Sequence, residues 1–358
     1  MEVCMISTNH QLIIGDARDI GKIQDESVDL VITSPPYPMI KMWDEIFACQ
    51  NPQVKTLLAN NEGSKAFEIM HQELDRAWKE VTRVLRQRGI ACINIGDATR
   101  TINGLFQLFT NHSRILQYFI AKGFVALPCI IWRKQTNAPN KFMGSGMLPP
   151  GAYVTLEHEY ILILRKGGRR LFKTSPEKQT RQNSAFFWEE RNVWFSDIWS
   201  DLKGASQRLE NDKTRKRSAA FPFELAHRLI NMFSVKGDTV LDPFLGTGTT
   251  MLAAMCNERN SIGVEIDGSL EGVITQKLHD TVNFSKEVIT NRIKRHLEFV
   301  KSRITGGKKI KYTNEHYGFP VVTKQEIKLQ FNLLDSIQKN SNRDYTVYYK
   351  GWAPNGDG

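Results

Sequence analysis

The sequence lacks paired cysteine motifs and a membrane-spanning apolar run, and we expect no secretory leader. Its five cysteines are scattered without CxxC spacing, which argues against a disulfide framework and a structural zinc site. No apolar run approaches membrane-spanning length, and Met1-Glu2-Val3-Cys4 carries an acid where a secretory signal is basic. We therefore expect a cytoplasmic chain with no membrane partner and no bound metal.

The chain also lacks internal repeats and low-complexity tracts, so repeat architectures and disorder are not indicated. Its hydrophobic content of 41% and charged content of 24% are ordinary for a globular protein. At 358 residues it is long for one compact domain. The length favours one large domain with an appendage.

Charge is the one unbalanced feature of the composition, with 48 Lys and Arg against 38 Asp and Glu. Residues 166–218 contain 13 basic and 7 acidic residues, and residues 292–311 contain 8 basic residues and the single acid Glu298. Such an excess suggests a polyanionic partner. A solvated surface explains either cluster equally well.

Seven short apolar segments predict strands, and four amphipathic segments predict helices between them. Continuous β-branched runs are typical of strands covered on both faces. The strands are predicted at 11–16, 28–33, 90–95, 126–132, 160–164, 239–242 and 261–266, and the helices at 66–88, 113–122, 223–233 and 249–257. This alternation predicts an α/β fold, a doubly wound, mostly parallel seven-stranded sheet that binds ligands at its carboxyl edge.

A glycine-containing loop, Leu241 to Thr250, lies between a predicted strand and a predicted helix. Gly246 and Gly248 leave room for a ligand to approach the backbone, and Glu265 ends the next strand 19 residues after Gly246. A carboxylate there suits the ribose hydroxyls of an adenosine, in a dinucleotide as well as in S-adenosyl-L-methionine. The missing third glycine and the acid Asp242 favour the methyl donor, because Asp242 would repel a pyrophosphate.

A second motif, Thr33-Ser34-Pro35-Pro36-Tyr37, directly follows another predicted strand. The two prolines fix the backbone and remove two N–H donors, leaving oxygen acceptors. Ser34 Oγ and the Pro35 carbonyl could hold both hydrogens of an exocyclic amine and aim its lone pair at a methyl group. Tyr37 could stack on a base flipped out of the duplex.

At these motifs the sequence resembles the amino-methyltransferases of DNA, the N6-adenine and N4-cytosine enzymes, from about Gln11 to Gly268. The resemblance implies a Rossmann-like fold and S-adenosyl-L-methionine as cofactor. It implies that Glu157-His158-Glu159-Tyr160 lines the target-base pocket. It implies catalytic roles for Ser34, Pro35, Pro36 and Tyr37, and cofactor contacts for Asp16, Thr33, Phe221, Pro222, Asp242, Phe244, Gly246, Gly248, Thr249 and Glu265.

The motif order, catalytic before cofactor, resembles the circularly permuted β group of that family. We expect a catalytic half at 1–165, a target-recognition segment at 166–218, a cofactor-binding half at 219–268 and an extension of unknown role at 269–358. The inserts 38–65 and 135–152 are expected to share the DNA recognition. The candidate DNA-binding residues are Arg181, Gln182, Asn183, Arg191, Asn192, Gln207, Arg208, Lys213, Arg215, Lys216 and Arg217.

The leading hypothesis is a site-specific N4-cytosine methyltransferase acting on double-stranded DNA, the protective half of a restriction–modification pair with a cognate endonuclease. Ser34 after Thr33 resembles the cytosine enzymes, and an N6-adenine enzyme is the alternative. An inactive DNA-binding module is a third hypothesis. His158 and at least one of Trp188, Trp194 and Trp199 are interpreted as structural. Cys129 follows Pro128 inside the predicted strand 126–132, and no cysteine stands in a Pro-Cys context suited to attack on a pyrimidine ring, which argues against C5-cytosine chemistry.

Overall fold

The computed structural model describes residues 6–134, 143–204, 221–341 and 343–353. Its main sheet contains ten strands, and each of the seven predicted strands belongs to it. The predicted α/β class is therefore confirmed, with a larger sheet than expected. No helix in the described ranges is long and apolar enough to cross a membrane.

The main sheet is formed by strands from both halves of the chain. They are β1 (Ile6–Ile14), β2 (Val28–Thr33), β3 (Leu85–Ile95), β6 (Phe124–Arg133), β9 (His158–Lys166), β10 (Ile198–Trp199), β11 (Thr239–Asp242), β12 (Asn260–Glu265), β15 (Asn332–Lys339) and β16 (Asp344–Gly351). Three two-stranded pairs join β4 (Ala98–Ile102) to β5 (Leu105–Phe109), β7 (Met143–Gly144) to β8 (Ala152–Tyr153), and β13 (Tyr312–Thr313) to β14 (Pro320–Val321).

The helices of the described residues vary widely in length. They are α1 (Asp44–Gln50), α2 (Gln53–Ala59), α3 (Gly63–Val84), α4 (Asn111–Ala121), α5 (Ser175–Asn183), α6 (Trp188–Trp194), α7 (Phe223–Phe233), α8 (Thr249–Cys256) and α9 (Glu271–Thr305), with short 3-10 turns at Lys41–Trp43, Gly268–Leu270 and Lys324–Glu326.

The strand order is β10-β6-β9-β3-β2-β11-β12-β1-β16-β15. The central strands β3, β2, β11, β12 and β1 are all parallel. β9 lies antiparallel between β3 and β6, and β16 pairs antiparallel with β1. The sheet is thus mixed but mostly parallel, and β2, β11 and β12 end side by side at one carboxyl edge.

Helices cover both faces of the sheet. Along β2, Val31 faces the core that contains α3 and α4, whereas Leu30 and Ile32 face the core beneath α7 and α8. This alternation follows from the period of two along a strand. In α3 the buried residues recur every three or four positions, as at Met70, Leu74 and Trp78, so the helix buries one stripe.

The structure corrects the predicted helix boundary at residues 85–88. α3 ends at Val84, and Leu85 begins β3 in extended conformation, paired with Val28 of β2. Arg88 then adopts a left-handed backbone with a φ of 73°, which no helix interior accommodates. The helical pattern continued past this point, but strand pairing determined the boundary.

The tail beyond residue 268 is part of the structural core. In β16 the side chains of Tyr345, Val347 and Tyr349 are buried in strict alternation, and Tyr349 Oη bonds to Thr8 Oγ1 at 2.8 Å. β16 covers the edge of β1 that the predicted seven-stranded sheet would have left open. β1 is thereby an internal strand, and the edge of the sheet lies at β15.

Residues 166–204 pack partly against the tail. Arg292 of α9 forms an ion pair with Glu190, and His296 stacks on Phe187 with ring centroids 3.7 Å apart. Trp194 and Trp199 are buried, which confirms the structural interpretation of at least one tryptophan. The segment predicted to recognise DNA is therefore anchored to α9 in its described part.

Candidate active site

The residues of the two predicted motifs meet at the carboxyl edge of the sheet. Ser34 follows β2, Asp242 ends β11 and Glu265 ends β12, and these three strands are neighbours. Together they line a cavity of about 590 Å³. Ligand sites in such sheets lie at this edge, and the volume is in the range of small-molecule sites.

Asp242 connects the two motifs. Its Oδ1 accepts hydrogen bonds from Thr33 Oγ1 at 2.6 Å and from the Phe244 N–H at 3.1 Å, and its Oδ2 accepts one from Thr250 Oγ1 at 2.6 Å. The side chain is almost completely buried, and this burial raises the pKa of Asp242 to about 6, against the opposing effect of the three hydrogen bonds. Asp242 thereby holds the start of the loop against the end of β2.

The loop after β11 has the geometry of a ligand cradle. Gly246 has a φ of 57°, and a Cβ built on it would have no heavy atom within 4 Å, so its backbone borders open space. Its N–H donates to Glu265 Oε2 at 2.7 Å, and the Asp267 N–H donates to Glu265 Oε1 at 2.8 Å. A glycine bordering open space beside a carboxylate fits the adenosine end of S-adenosyl-L-methionine.

Glu265 is 8% exposed, and burial raises its pKa against the lowering effect of the Asp267 and Gly246 N–H donors. Its backbone carbonyl accepts a hydrogen bond from the Gly15 N–H at 2.8 Å. That bond brings Gly15 and Asp16, a predicted cofactor contact, to the same cavity. Asp16 pairs with Arg18 at 2.6 Å, and Arg18 also pairs with Glu73.

Part of the predicted DNA-reading insert 38–65 instead forms a wall of the cavity. Five of its residues line the space, from the end of the 3-10 turn through α1: Trp43, Glu45, Ile46, Cys49 and Gln50. Sequence reasoning missed them, and it also missed Arg18. Arg100 Nη2 holds Asp44 at 2.8 Å, so this wall is tied to β4, which begins shortly after β3.

Most of the predicted cofactor residues line the cavity, namely Asp16, Phe221, Asp242, Phe244, Gly246, Thr249 and Glu265. The other three lie next to it. Thr33 is buried beneath Asp242, Pro222 caps α7, and a Cβ on Gly248 would come within 3.3 Å of Ile274. Gly248 therefore leaves room for Ile274 of α9, and its contact with the cofactor stays a prediction.

Ser34, Pro35 and Pro36 line the same cavity as the loop. Ser34 Oγ lies 3.0 Å from Tyr37 Oη, and Tyr37 Oη donates to Glu159 Oε2 at 3.0 Å. Asn94 Nδ2 donates to Tyr37 Oη and to Glu159 Oε2, and Lys134 Nζ donates to Glu159 Oε1 at 3.0 Å. Of these partners, Asn94 and Lys134 were not among the predicted site residues.

Tyr37 is 6% exposed, so its ring offers little free surface, and its stacking on a base stays a prediction. Burial, reinforced by the Glu159 charge, raises the pKa of the Tyr37 phenol well above its usual value. The phenol is therefore protonated at neutral pH. In the segment that includes Glu159, His158 meets the edge of the Tyr160 ring, with centroids 4.9 Å apart.

The candidate DNA-binding residues on α5 lie at the opposite edge of the sheet from Ser34. Just after α5, Ser184 Oγ accepts a hydrogen bond from the Lys236 N–H at 2.9 Å, shortly before β11 begins. Asn183 itself bonds through its carbonyl to the Gln330 N–H at 3.2 Å. This placement argues against base reading near the target by Arg181, Gln182 and Asn183.

Two of the other candidates lie on α6, and the rest lie outside the described residues. Arg191 and Asn192 are exposed on α6, where Arg191 lies over the Phe195 ring at 5.8 Å and Phe195 contacts Phe233 at the end of α7. The remaining candidates lie outside the described residues: Gln207, Arg208, Lys213, Arg215, Lys216 and Arg217.

Comparison with known proteins places these motifs in one family. The family model described as DNA methylase, N6_N4_Mtase, matches residues 28–277. The chain is 49% identical over 350 residues to the Type II methyltransferase M.MthZI of Methanothermobacter thermautotrophicus, covering 98% of this chain and 97% of that protein. It is 54% identical over 284 residues to the Type II methyltransferase M.MjaI of Methanocaldococcus jannaschii, covering 76% of this chain and 92% of that protein.

A solved structure supports the same assignment. The "Putative DNA Modification Methylase" from Thermus thermophilus, in complex with S-adenosyl-L-methionine, superposes with a TM-score of 0.59. The two proteins share 34% sequence identity, and the match covers 76% of this chain and 96% of that one.

Proposed function

This chain belongs to the N6/N4 DNA methylase family, and from that premise we propose that it methylates N4 of a cytosine in double-stranded DNA. The methyl group comes from S-adenosyl-L-methionine, the donor present in the related Thermus thermophilus structure. The target base is flipped out of the duplex to reach the cavity, because its amino group is inaccessible within the stack.

The residues that carry the proposal are Ser34 and the backbone of Pro35. When bound, the donor supplies an electrophilic methyl group on a positively charged sulfur. Ser34 Oγ and the Pro35 carbonyl accept the two hydrogens of the base amine and orient its nitrogen, while the cavity excludes water. Catalysis then consists mainly of positioning and desolvation.

The cofactor end of the cavity holds the donor. Glu265 faces the ribose hydroxyls, and the Gly246 backbone beside it allows close approach of the adenosine end of the donor. Phe221, Phe244 and Thr249 complete the walls, and α1 closes the side towards Trp43. Thr33 acts indirectly, by holding Asp242, and Gly248 leaves room for Ile274.

The choice of cytosine rests on one observation, Ser34 at the first position of the catalytic motif after Thr33. Serine there resembles the cytosine enzymes, whereas aspartate or asparagine resembles the adenine enzymes. Both amines need the same two acceptors, so the N6-adenine activity remains the second candidate.

The biological role we infer is protection of host DNA in a type II restriction–modification system with a cognate endonuclease. The support is the 98% coverage and 49% identity to a Type II methyltransferase. We also propose that the chain belongs to the circularly permuted β group of the family. Its functional segments end at residues 165, 218 and 268. In that division, residues 166–218 contribute to target recognition through Arg208 and Lys213–Arg217 rather than through α5.

Sequencing that detects modified bases tests the proposal in a host expressing the protein. The expected result is N4-methylcytosine at one position of a single short recognition sequence, strongly reduced in a host expressing Ser34→Ala. N6-methyladenine at that site would replace the proposal with the second candidate. No modification in a host with verified expression would support the inactive binding module.

A further inference from the structure

A line of three hydroxyl and carboxyl groups leads from the catalytic motif into the protein. It runs from Ser34 Oγ to Tyr37 Oη at 3.0 Å, and from Tyr37 Oη to Glu159 Oε2 at 3.0 Å. Glu159 stands on β9, two strands from β2 in the sheet. Its side chain is 14% exposed, and Lys134 Nζ pairs with its second oxygen at 3.0 Å.

The hydrogens and lone pairs available on each group determine which group donates in each hydrogen bond of this line. Tyr37 has one hydroxyl hydrogen, which it donates to the carboxylate of Glu159. Asn94 Nδ2 donates to Tyr37 Oη at 3.0 Å, and this occupies one of the two phenol lone pairs. The remaining lone pair faces Ser34, so the Ser34 hydroxyl must be the donor in that contact.

This orientation has a consequence for substrate binding. Because the Ser34 hydrogen is committed to Tyr37 and no described residue donates to Ser34 Oγ, both of its lone pairs are available to a substrate in the cavity. Ser34 therefore presents a pure acceptor, which is what an exocyclic amine with two N–H donors requires. Without an acceptor at the end of the line, the serine hydroxyl could rotate and present its hydrogen to the amine instead.

We propose that Glu159 is the positioning residue that orients the Ser34 hydroxyl through Tyr37 and takes up the proton released by the methylated amine. The inference rests on the proposed amine methylation and holds for cytosine and adenine alike. It gives Glu159 a defined role in the segment Glu157 to Tyr160, which resemblance alone assigned to the base pocket.

The proton transfer balances along the three groups. After the nitrogen has gained the methyl group, it carries one proton too many. That N–H bond breaks as Ser34 Oγ gains the proton, and the original Ser34 proton moves to Tyr37 Oη. The Tyr37 proton then moves to Glu159, which becomes a neutral carboxylic acid and loses the proton to water before the next turnover.

The surroundings of the line suit this role. Burial keeps the Tyr37 phenol protonated, with a pKa well above its usual value, so Tyr37 transmits a proton and is not itself the base. Lys134 and Asn94 both donate to Glu159 and hold its carboxylate beside Tyr37. A Cβ on Gly96 would come within 3.0 Å of the Tyr37 ring, so the ring is closely confined.

The test is a double-variant cycle of Glu159→Gln and Tyr37→Phe, with single-turnover transfer of labelled methyl to unmodified genomic DNA. Donor affinity is measured in parallel by equilibrium dialysis. We expect each single variant to slow transfer about 100-fold or more, with donor affinity changed less than about threefold. The double variant should be no slower than the slower single variant, because both changes break one line.

Glu159→Asp provides a conservative variant, since it keeps the carboxylate and shortens the side chain. It should retain more of the transfer rate than Glu159→Gln. Asp335→Asn is the matched control, because it removes a Lys-paired carboxylate on the far edge strand β15, 2.8 Å from Lys350. It should transfer methyl at the wild-type rate.

Three results would overturn the inference: additive losses in the double variant, equal losses for Gln and Asp at position 159, or an unchanged rate in Glu159→Gln. Loss of donor binding in Glu159→Gln would show a merely structural role. Label is counted in total DNA, whichever base carries it. A wild-type protein that transfers no label would instead contradict the proposed function itself, so the two failures are distinguishable.

Discussion

Thr33 donates its hydroxyl hydrogen to Asp242 Oδ1 at 2.6 Å, which joins two sequence motifs that lie 209 residues apart. Thr33 ends β2 and Asp242 ends the neighbouring strand β11. The contact brings the catalytic motif and the cofactor loop together across adjacent strands. Ser34, one residue further on, therefore borders the space that the loop encloses.

Asp242 makes the stability of the protein depend on pH. Burial raises its pKa from 3.8 to about 6, so the stability it contributes is fully present below pH 3.8 and is lost as the pH rises through 6. Urea unfolding at pH 7 and pH 5 should show wild type gaining about 1 kcal/mol more than Asp242→Asn on acidification. The same pH response in both proteins would contradict the assigned cause.

Ser34→Ala should reduce turnover far more than donor binding. The variant removes an acceptor that acts mainly as the transition state forms, so kcat should fall about 100-fold or more while the donor dissociation constant changes less than about threefold. Single-turnover kinetics and equilibrium dialysis measure the two quantities. A parallel loss of both would sink the role assigned to Ser34.

Gly246→Val should abolish donor binding, because the new side chain projects into the cavity. Gly237→Val is a matched control: Gly237 also has a positive φ, 81°, and open space around a Cβ, but it lies before β11 at the other edge of the sheet. In both variants, backbone strain lowers the free energy of unfolding by about 1 kcal/mol. Calorimetric titration with the donor should show binding only in Gly237→Val, and equal affinities would refute the site.

Val347→Ala tests whether the tail is part of the core. Val347 on β16 is fully buried, so its truncation should lower the free energy of unfolding by about 2 kcal/mol. Lys350→Ala on the same strand removes an exposed side chain and should cost less than about 0.5 kcal/mol. Chemical denaturation measures both, and equal small losses would mean that β16 is a dispensable addition.

Local sequence patterns were sufficient to predict the central part of the fold. The β-branched runs predicted β2 and β11 to the residue, because strands buried on both faces leave continuous apolar runs. The pairing of Glu265 with the Gly246 loop was likewise predictable, since sequential strands of a parallel sheet end at the same edge. These features depend on residues that are close in the sequence and on the general topology of a parallel α/β sheet.

The missed features depend on contacts between distant segments. β16 alternates buried Tyr345, Val347 and Tyr349 with less buried residues, a period-two signal that was present in the sequence but obscured by its aromatic, polar composition. Asn94 and Lys134 have no local motif, because their role depends on Glu159 from another strand. The α5 residues carried base-reading side chains, but only tertiary structure shows that they lie at the opposite edge from Ser34.

The most direct test is to identify the methylated nucleoside. Purified protein, unmodified genomic DNA and labelled S-adenosyl-L-methionine are incubated, and the DNA is digested to nucleosides for mass spectrometry. The account predicts N4-methylcytosine as the labelled product, formed at least about 100-fold more slowly with Ser34→Ala. N6-methyladenine as the only product would contradict the choice of base, and 5-methylcytosine would contradict the amine chemistry assigned to Ser34 and Pro35.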